Sequence, residues 1–464
     1  MDLPVTFKEK YRRLLGENEA DALFASFDTP PVKGFRLNPL KPDYKDVAVS
    51  LAHPLDHVAD GYAGQVHGHT LEHQAGYVYS QDPSAMYVAA VTNPQPGERV
   101  LDLCAAPGGK TTQLAGMMAN QGVLVSNEIN AKRARVLAEN VERTGARNVV
   151  VLNERPDHLA KELPGYFDKI VVDAPCSGEG MFRKDPAAVR YWHADYPAEC
   201  ARRQHEILRS AMALLRPEGQ LVYSTCTFAP EEDEQVVAWL MREYGLTVVP
   251  LKRYPGMDAG RPDFVEGEAP LTGAVRMMTH HFAGEGQFVA KLQDPRPAEP
   301  VVAKRPRRAK KKKGRKVSGQ PNKEQLQLWT AFQQETLPGF NVTPADLYVS
   351  GTYLYLYRHE WPALSGLTYQ RPGLLLGTFK KNRFEPSYAL ALAIRPEEVA
   401  HVLEVSADQW AAYVSGQVLA LDEEHHPAGW TLLTCGGKPF AFGKVVGRTV
   451  KNFFPKALRF TVNK

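Results

Sequence analysis

Apolar residues recur along this chain with two periods, and the change from one to the other divides it. Near the start, Phe7, Tyr11, Leu14 and Leu15 fall at helical spacing and predict an amphipathic helix from Phe7 to Leu15. From about residue 90, short apolar runs at 99–103, 123–128, 148–152, 169–174 and 219–225 alternate with helical patterns. One such pattern, 131–144, turns Ala134, Leu137 and Val141 inward, and another covers roughly 199–215 before the stop signal Arg216-Pro-Glu-Gly219. Alternating strands and helices predict a parallel sheet covered on both faces. The segment 254–292 predicts a hairpin returning to the sheet edge. Residues 293–322 are proline-rich and then basic, the composition of a solvated connector. Beyond it, strand-like runs at 346–357 and 430–433 and a basic tail, Lys444–Lys456, predict a small barrel-like module with a positive face. The expected units are therefore 1–90, 91–292, the linker 293–322, 323–391 and 392–464.

Composition narrows the setting. At 464 residues the chain is long enough for two to four domains, and it has no apolar run long enough to span a membrane. Met1–Lys10 has no apolar core behind its lysines and is not expected to be a signal peptide. Five cysteines, at 104, 176, 200, 226 and 435, include no Cys-x-x-Cys pair, which argues for thiols in a reducing cytoplasm. The net charge of +4 conceals a division: residues 301–316 carry ten Lys/Arg and no acid, leaving the other 448 residues at −6. Attraction to a polyanion is thus expected in patches, with the basic linker one of them. The alternation of basic and aromatic residues around Gly34–Lys41 also suits a nucleic-acid surface. His67, His69 and His73 have no cysteine or carboxylate cluster beside them, so no metal is expected.

The chemistry gathers around Arg99-Val-Leu-Asp-Leu-Cys-Ala-Ala-Pro-Gly-Gly-Lys-Thr-Thr112, a strand running into a glycine turn and then a helix from about Thr111. That crossing is where α/β sheets hold nucleotide-like ligands. A phosphate-binding loop would need glycine where Cys104 stands, and two adjacent glycines match a dinucleotide fingerprint only weakly. S-adenosylmethionine (SAM) remains, with Asp102 suited to its ammonium and Glu128, about twenty residues past the glycines, to its ribose. Two further strands end in cysteine, at Asp173-Ala-Pro-Cys-Ser-Gly-Glu-Gly180 and Tyr223-Ser-Thr-Cys-Thr227. Ligands bind outside the carboxyl ends of such strands, so Asp173, Cys176 and Cys226 are expected to meet the glycine turn in one crevice. Cys104 and Cys200 have the character of structural thiols. A thiol, a carboxylate and a methyl donor together suit one reaction. Carbon 5 of a pyrimidine becomes nucleophilic when a thiolate adds to carbon 6 and an acid group bonds N3, and a base must later take the carbon 5 proton so that the thiol can leave.

These three motifs, in this order, resemble the Sun family of SAM-dependent RNA cytosine-5 methyltransferases. The Arg276–Phe288 segment and the C-terminal extension look like its bacterial RsmF-type branch, which acts on small-subunit ribosomal RNA; Arg36-Leu-Asn-Pro-Leu-Lys41 adds a weaker likeness. The resemblance implies a Rossmann-like class I SAM methyltransferase with a mostly parallel seven-stranded sheet, an N-terminal α/β RNA-binding segment and a C-terminal PUA-like module. It places the nucleophile on Cys226, a release-assisting thiol on Cys176, and base contact on Asp173. Cofactor contacts fall on Cys104, Ala105, Ala106, Pro107, Gly108, Gly109 and Lys110, with Glu128, Arg133 and Asp173. Many members carry an aspartate after the third strand to meet the adenine; here the position is Arg155, with Asn153 or Asp157 as substitutes. The partner implied is 16S rRNA or the small subunit, met by a monomer. Transfer RNA, a DNA-type mechanism using the Pro-Cys site alone, and a non-catalytic ribosome-assembly factor are the competing expectations.

Overall fold

A computed structural model describes residues 1–265, 269–297, 319–421 and 426–462. The basic run Lys304–Lys316 lies outside the described residues. At the centre is a ten-stranded sheet. Its parallel heart runs Val149–Leu152, Val123–Asn127, Arg99–Asp102, Phe167–Asp173 and Leu215–Thr225, in that spatial order. Gln287–Gln293 joins antiparallel beside Leu215–Thr225, and Thr247–Val249 pairs with its other side. The first five of these are the strands expected from the sequence, the resemblance implied seven in all, and three more widen the sheet. Val275–Met277 pairs with Gln287–Gln293 as the anticipated hairpin, and Met257–Ala259 extends the edge beyond it. The third, Tyr369–Arg371, comes from the C-terminal part of the chain and pairs antiparallel with Val149–Leu152.

Local chemistry explains the boundaries. The helix Ala131–Thr144 starts on Asn130, whose side chain accepts from the N–H groups of Lys132 and Arg133, and stops at Gly145 in the left-handed region. Its Ala134, Leu137 and Val141 are buried, as their spacing predicts. The N-terminal helix spans Val5–Leu15 and buries Phe7 and Tyr11. The helix Tyr196–Leu214 passes directly into the strand Leu215–Thr225. Arg216-Pro-Glu-Gly219 stops the helix but forms no loop: it is absorbed as a register shift, Phe167 facing Leu215 while Lys169 faces Gln220. Glu218 turns this bulge with a φ of 59°.

The first 90 residues do not close a core of their own. Phe7, Tyr11 and Leu23 pack with Phe182, Trp192 and Phe228 of the central unit. The three-stranded sheet Gly61–Ala63, Gly34–Leu37 and Val78–Ser80 shares its core with Trp410, Tyr413 and Phe440. Arg36 and Lys41, expected on a nucleic-acid surface, are 3% and 5% exposed and serve inside the fold. Lys41 gives a 2.5 Å hydrogen bond to the carbonyl of Leu392, and burial pulls its ammonium down to about 7. In the C-terminal region a four-stranded sheet, Leu347–Ser350, Tyr353–Leu356, Leu374–Lys380 and Arg383–Pro386, precedes a curled five-stranded half-barrel formed between Val402 and Asn452. No described helix is long and apolar enough to cross a membrane.

Candidate active site

A cleft of about 790 Å³ opens at the carboxyl ends of the parallel strands. Seven of the expected residues line it: Cys104, Ala106, Glu128, Arg133, Asp173, Cys176 and Cys226. They arrive from four neighbouring strands, which is why motifs spread over 120 residues meet. Behind one wall, Ala105, Pro107, Gly108 and Gly109 make the turn into the helix Gly109–Met117. Gly108 has a φ of 114°, and a Cβ there would stand 3.1 Å from Leu137, so the turn admits no side chain without strain. From the other side Arg36 braces it, donating to the Gly109 carbonyl at 2.8 Å and to the Thr112 hydroxyl.

The residues fit a cofactor with a positive head and a ribose. Asp102 is fully buried; Thr111 donates to its Oδ2 at 2.7 Å, while Oδ1 has no hydrogen-bond partner. Burial raises this carboxyl to about 6. A cationic donor beside it would supply the missing partner and hold it ionised. Glu128 accepts from the N–H of Asn130 at 2.9 Å and pairs with Arg133 at 3.3 Å, and Arg133 reaches on to the Ala106 carbonyl at 2.8 Å. Two short loops are thereby tied into one rim. Arg155, standing where many members have the adenine-binding aspartate, and the substitute Asp157 both line the cleft, paired with each other at 3.0 Å. Asn153 instead donates its amide to the carbonyls of Glu128 and Ile129, at 2.7 and 2.9 Å.

At the other end, the sulfurs of Cys176 and Cys226 lie 3.3 Å apart, both half-buried and both thiols. The Cys176 thiol is held well above its ordinary value by its contact with Cys226 and by burial. Asp173 pairs with Lys110 at 2.6 Å and accepts from Ser224 at 2.7 Å and Gln287 at 3.2 Å. Burial works against the Lys110 ammonium, but the Asp173 carboxylate outweighs it and lifts the ammonium above its ordinary value. Cys200 is fully buried, its thiol pushed up to about 11 by burial, and Cys104 is pushed up further by the same cause. Neither has the character of a nucleophile. His67, His69 and His73 form no metal-ligand group among the described residues. His69 stacks on Phe460, and burial, reinforced by Arg143, lowers the His73 imidazole to about 4.

Known proteins resemble this chain over most of its length. Family models match four consecutive stretches: the N-terminal domain of 16S rRNA methyltransferase RsmF at residues 3–83, 16S rRNA methyltransferase RsmB/F at 89–293, the first C-terminal domain of RsmF rRNA methyltransferase at 331–394, and the methyltransferase RsmF PUA domain at 400–460. Ribosomal RNA small subunit methyltransferase F of Shewanella sp. (strain ANA-3) is 30% identical over 459 residues, 94% of this chain and 93% of its own length. The chain belongs to the ribosomal RNA small subunit methyltransferase F family. Other relatives of that name, from Vibrio vulnificus (strain YJ016) and Enterobacter sp. (strain 638), are 29% and 30% identical, covering 98% and 94% of this chain and 97% and 92% of theirs. Among solved structures, a methyltransferase homolog from Pyrococcus horikoshii is 30% identical with a TM-score of 0.56, covering 62% of this chain and 94% of its own. NSun6 from the same organism, 21% identical with a TM-score of 0.55 over 63% of this chain and 99% of its own, shares the fold. The family carries a class I SAM-dependent methyltransferase fold followed by a PUA domain.

The sequence reading missed what lies beneath the cysteines. Glu232, Asp233 and Glu234, in the acidic run Pro230-Glu-Glu-Asp-Glu-Gln235, are completely buried. Arg276 pairs with Asp233 at 3.2 Å and with Glu234. Glu179, also fully buried, accepts from Trp192 at 2.9 Å, Thr227 at 2.9 Å and the hydroxyl of Tyr11. The available signal was that Glu179 belongs to the Pro-Cys motif and that Glu232–Glu234 follow the second cysteine within eight residues.

Proposed function

We propose that this protein transfers a methyl group from SAM to carbon 5 of cytosine in 16S ribosomal RNA, through a covalent adduct between Cys226 and carbon 6. One observation carries the reading: two thiols at 3.3 Å share a cleft with Asp173 and with Cys104 and Ala106, which lead into the glycine turn. The 104–110 turn, Glu128 and Arg133 would hold SAM, which when bound supplies an electrophilic methyl group. Cys226 adds to carbon 6, and the Lys110–Asp173 pair offers the charge and hydrogen bonds that steady the base as electrons move toward N3. Once carbon 5 has taken the methyl group, a base removes its proton and the carbon 6–sulfur bond breaks, releasing Cys226 as thiolate. Cys176, held as a thiol, presents an S–H to that leaving sulfur. The target base must be single-stranded or turned out of its helix for either face to be reached.

The test uses labelled SAM with unmodified small-subunit RNA and with assembled particles. Label in RNA that bisulfite mapping assigns to cytosine, lost completely in Cys226→Ser, is the expected result. Cys176→Ser should still form the adduct but release it slowly, leaving RNA-linked protein on a denaturing gel. Full turnover by Cys226→Ser with a dead Cys176→Ser would point to the DNA-type mechanism, and no label in any RNA to a non-catalytic factor.

A further inference from the structure

The loop carrying Cys176 and the loop carrying Cys226 are joined by a continuous line of hydrogen bonds. Glu232 Oε2 accepts from the N–H of Ser177 at 3.0 Å and from the Gln204 amide at 2.8 Å, which fills the capacity of a carbonyl-type oxygen. Its other oxygen lies in hydrogen-bond contact with the Ser177 hydroxyl. That hydroxyl is 2.8 Å from the hydroxyl of Thr227, which donates to Glu179 Oε2 at 2.9 Å. Glu179 is surrounded by donors: Tyr11, Trp192, Thr227 and the N–H of Phe228. Two of these can only donate, Trp192 to one oxygen and the Phe228 N–H to the other, and the Lys10 ammonium stands 3.9 Å away. Glu179 is therefore the accepting carboxylate toward which the hydrogens in the line point. Read back from there, Thr227 receives from Ser177, and Ser177 must receive from Glu232.

Resting on the function proposed above, we infer that Glu232, Ser177, Thr227 and Glu179 form a directional hydrogen-bond clamp in which Glu232 is a neutral acid donating to Ser177. The clamp sets the separation of the two sulfurs, because Ser177 follows Cys176 and Thr227 follows Cys226 directly in the chain. These four are positioning residues, since none of them lines the cleft. The electrostatics agree. Burial, with Glu179 adding to it against the hydrogen bonds of Ser177 and Gln204, raises Glu232 to about 8, so its proton is retained at neutral pH. A glutamine in its place has the same pattern of one acceptor and one donor.

Bridging of the two thiols by dibromobimane, which fluoresces when both its arms react, reads the sulfur separation without RNA or cofactor. The full chain should bridge Cys176 to Cys226 at pH 7, and Glu232→Gln should do so at close to the same rate. Ser177→Ala and Thr227→Val each delete one hydroxyl with little change of shape, and each should slow bridging about fivefold, the factor a lost hydrogen bond contributes. Bridging at the wild-type rate in both hydroxyl variants would overturn the clamp, and a Glu232→Gln protein as slow as Ser177→Ala would overturn the neutral acid. In the methylation assay Ser177→Ala should lower kcat by a similar factor with KM near wild type and leave more RNA-linked protein. If the wild-type protein methylates no RNA while the bridging results hold, the proposed function fails and the clamp stands.

Discussion

Asp102 shows how one side chain can be costly in the empty fold and useful in the loaded one. Its carboxyl is raised from 3.8 to about 6 by burial, so between about pH 4 and 6 the native state holds a proton that the unfolded chain has released. Stability from this group therefore falls as pH rises through that window and stays low above it. Asp102→Asn should remove the dependence and leave the cofactor-free protein about 2–3 kcal/mol more stable at pH 7 relative to pH 4 than wild type is, as thermal melts at the two pH values would show. Added SAM should reverse the order, because only the carboxylate offers a charged partner to an ammonium. Calorimetry should find SAM bound about 10–100-fold more weakly by the variant. Asp102, Asp173, Cys176 and Cys226 were legible in the sequence because each lies at the end of an apolar run or a few residues past it, a strictly local pattern. Glu232–Glu234 were not, because an acidic run reads as solvated unless its partners are known. Arg276 lies more than forty residues downstream and Tyr11, which holds neighbouring Glu179, lies 168 residues upstream of it.

Where segments meet, the site depends on backbone approach as much as on side chains. Gly180 donates its N–H to the Cys226 carbonyl at 3.0 Å and accepts from the N–H of Gly286 at 2.9 Å, so the Pro-Cys loop touches both the nucleophile loop and the edge hairpin. A Cβ on Gly180 would stand 2.6 Å from the Gly286 Cα and 2.8 Å from its carbonyl oxygen. All of these atoms are backbone of Gly286, which leaves no flexible side chain to yield. Gly180→Ala should cost about 1–3 kcal/mol in a denaturant titration and should impair methyl transfer more than SAM binding, since the cofactor turn lies on other strands. Sequence pattern located these segments well but not their irregularities. The alternation of periods gave the five parallel strands to within a few residues, whereas Arg216–Gly219, expected as a helix stop, ends the helix and is at the same time a bulge within a continuous strand. Proline and glycine carry the same signal for both, and only the register of the neighbouring strand tells them apart.

At the scale of the molecule, the terminal parts share cores with the central unit and with each other. A three-residue strand such as Tyr369–Arg371 has too little length for any period to be seen, yet it completes the edge of the central sheet. Arg371, 1% exposed, donates to the carbonyls of Val149 and Ala146 at 2.7 and 2.8 Å, and Arg147 answers with the Ala393 carbonyl and Glu398. Ending the chain at residue 297 should strip these partners from Val149–Leu152 and expose a bare strand edge. The shortened protein is expected to melt at least about 10 °C lower, or to aggregate on purification; an unchanged melting curve would contradict the picture.

Thr368, one residue before that added strand, bonds in both directions to the cleft wall: its carbonyl accepts from the N–H of Asn153, and its own N–H donates to Glu154 at 2.6 Å. Arg155 and Asp157 follow at once, on the rim. The distal third of the polypeptide is thus stitched to the mouth of the cleft instead of swinging from a tether. The span between the cleft and the C-terminal half-barrel is thereby held like the jaws of a locked calliper, so any RNA touching both would present to the cleft only what lies that set distance away.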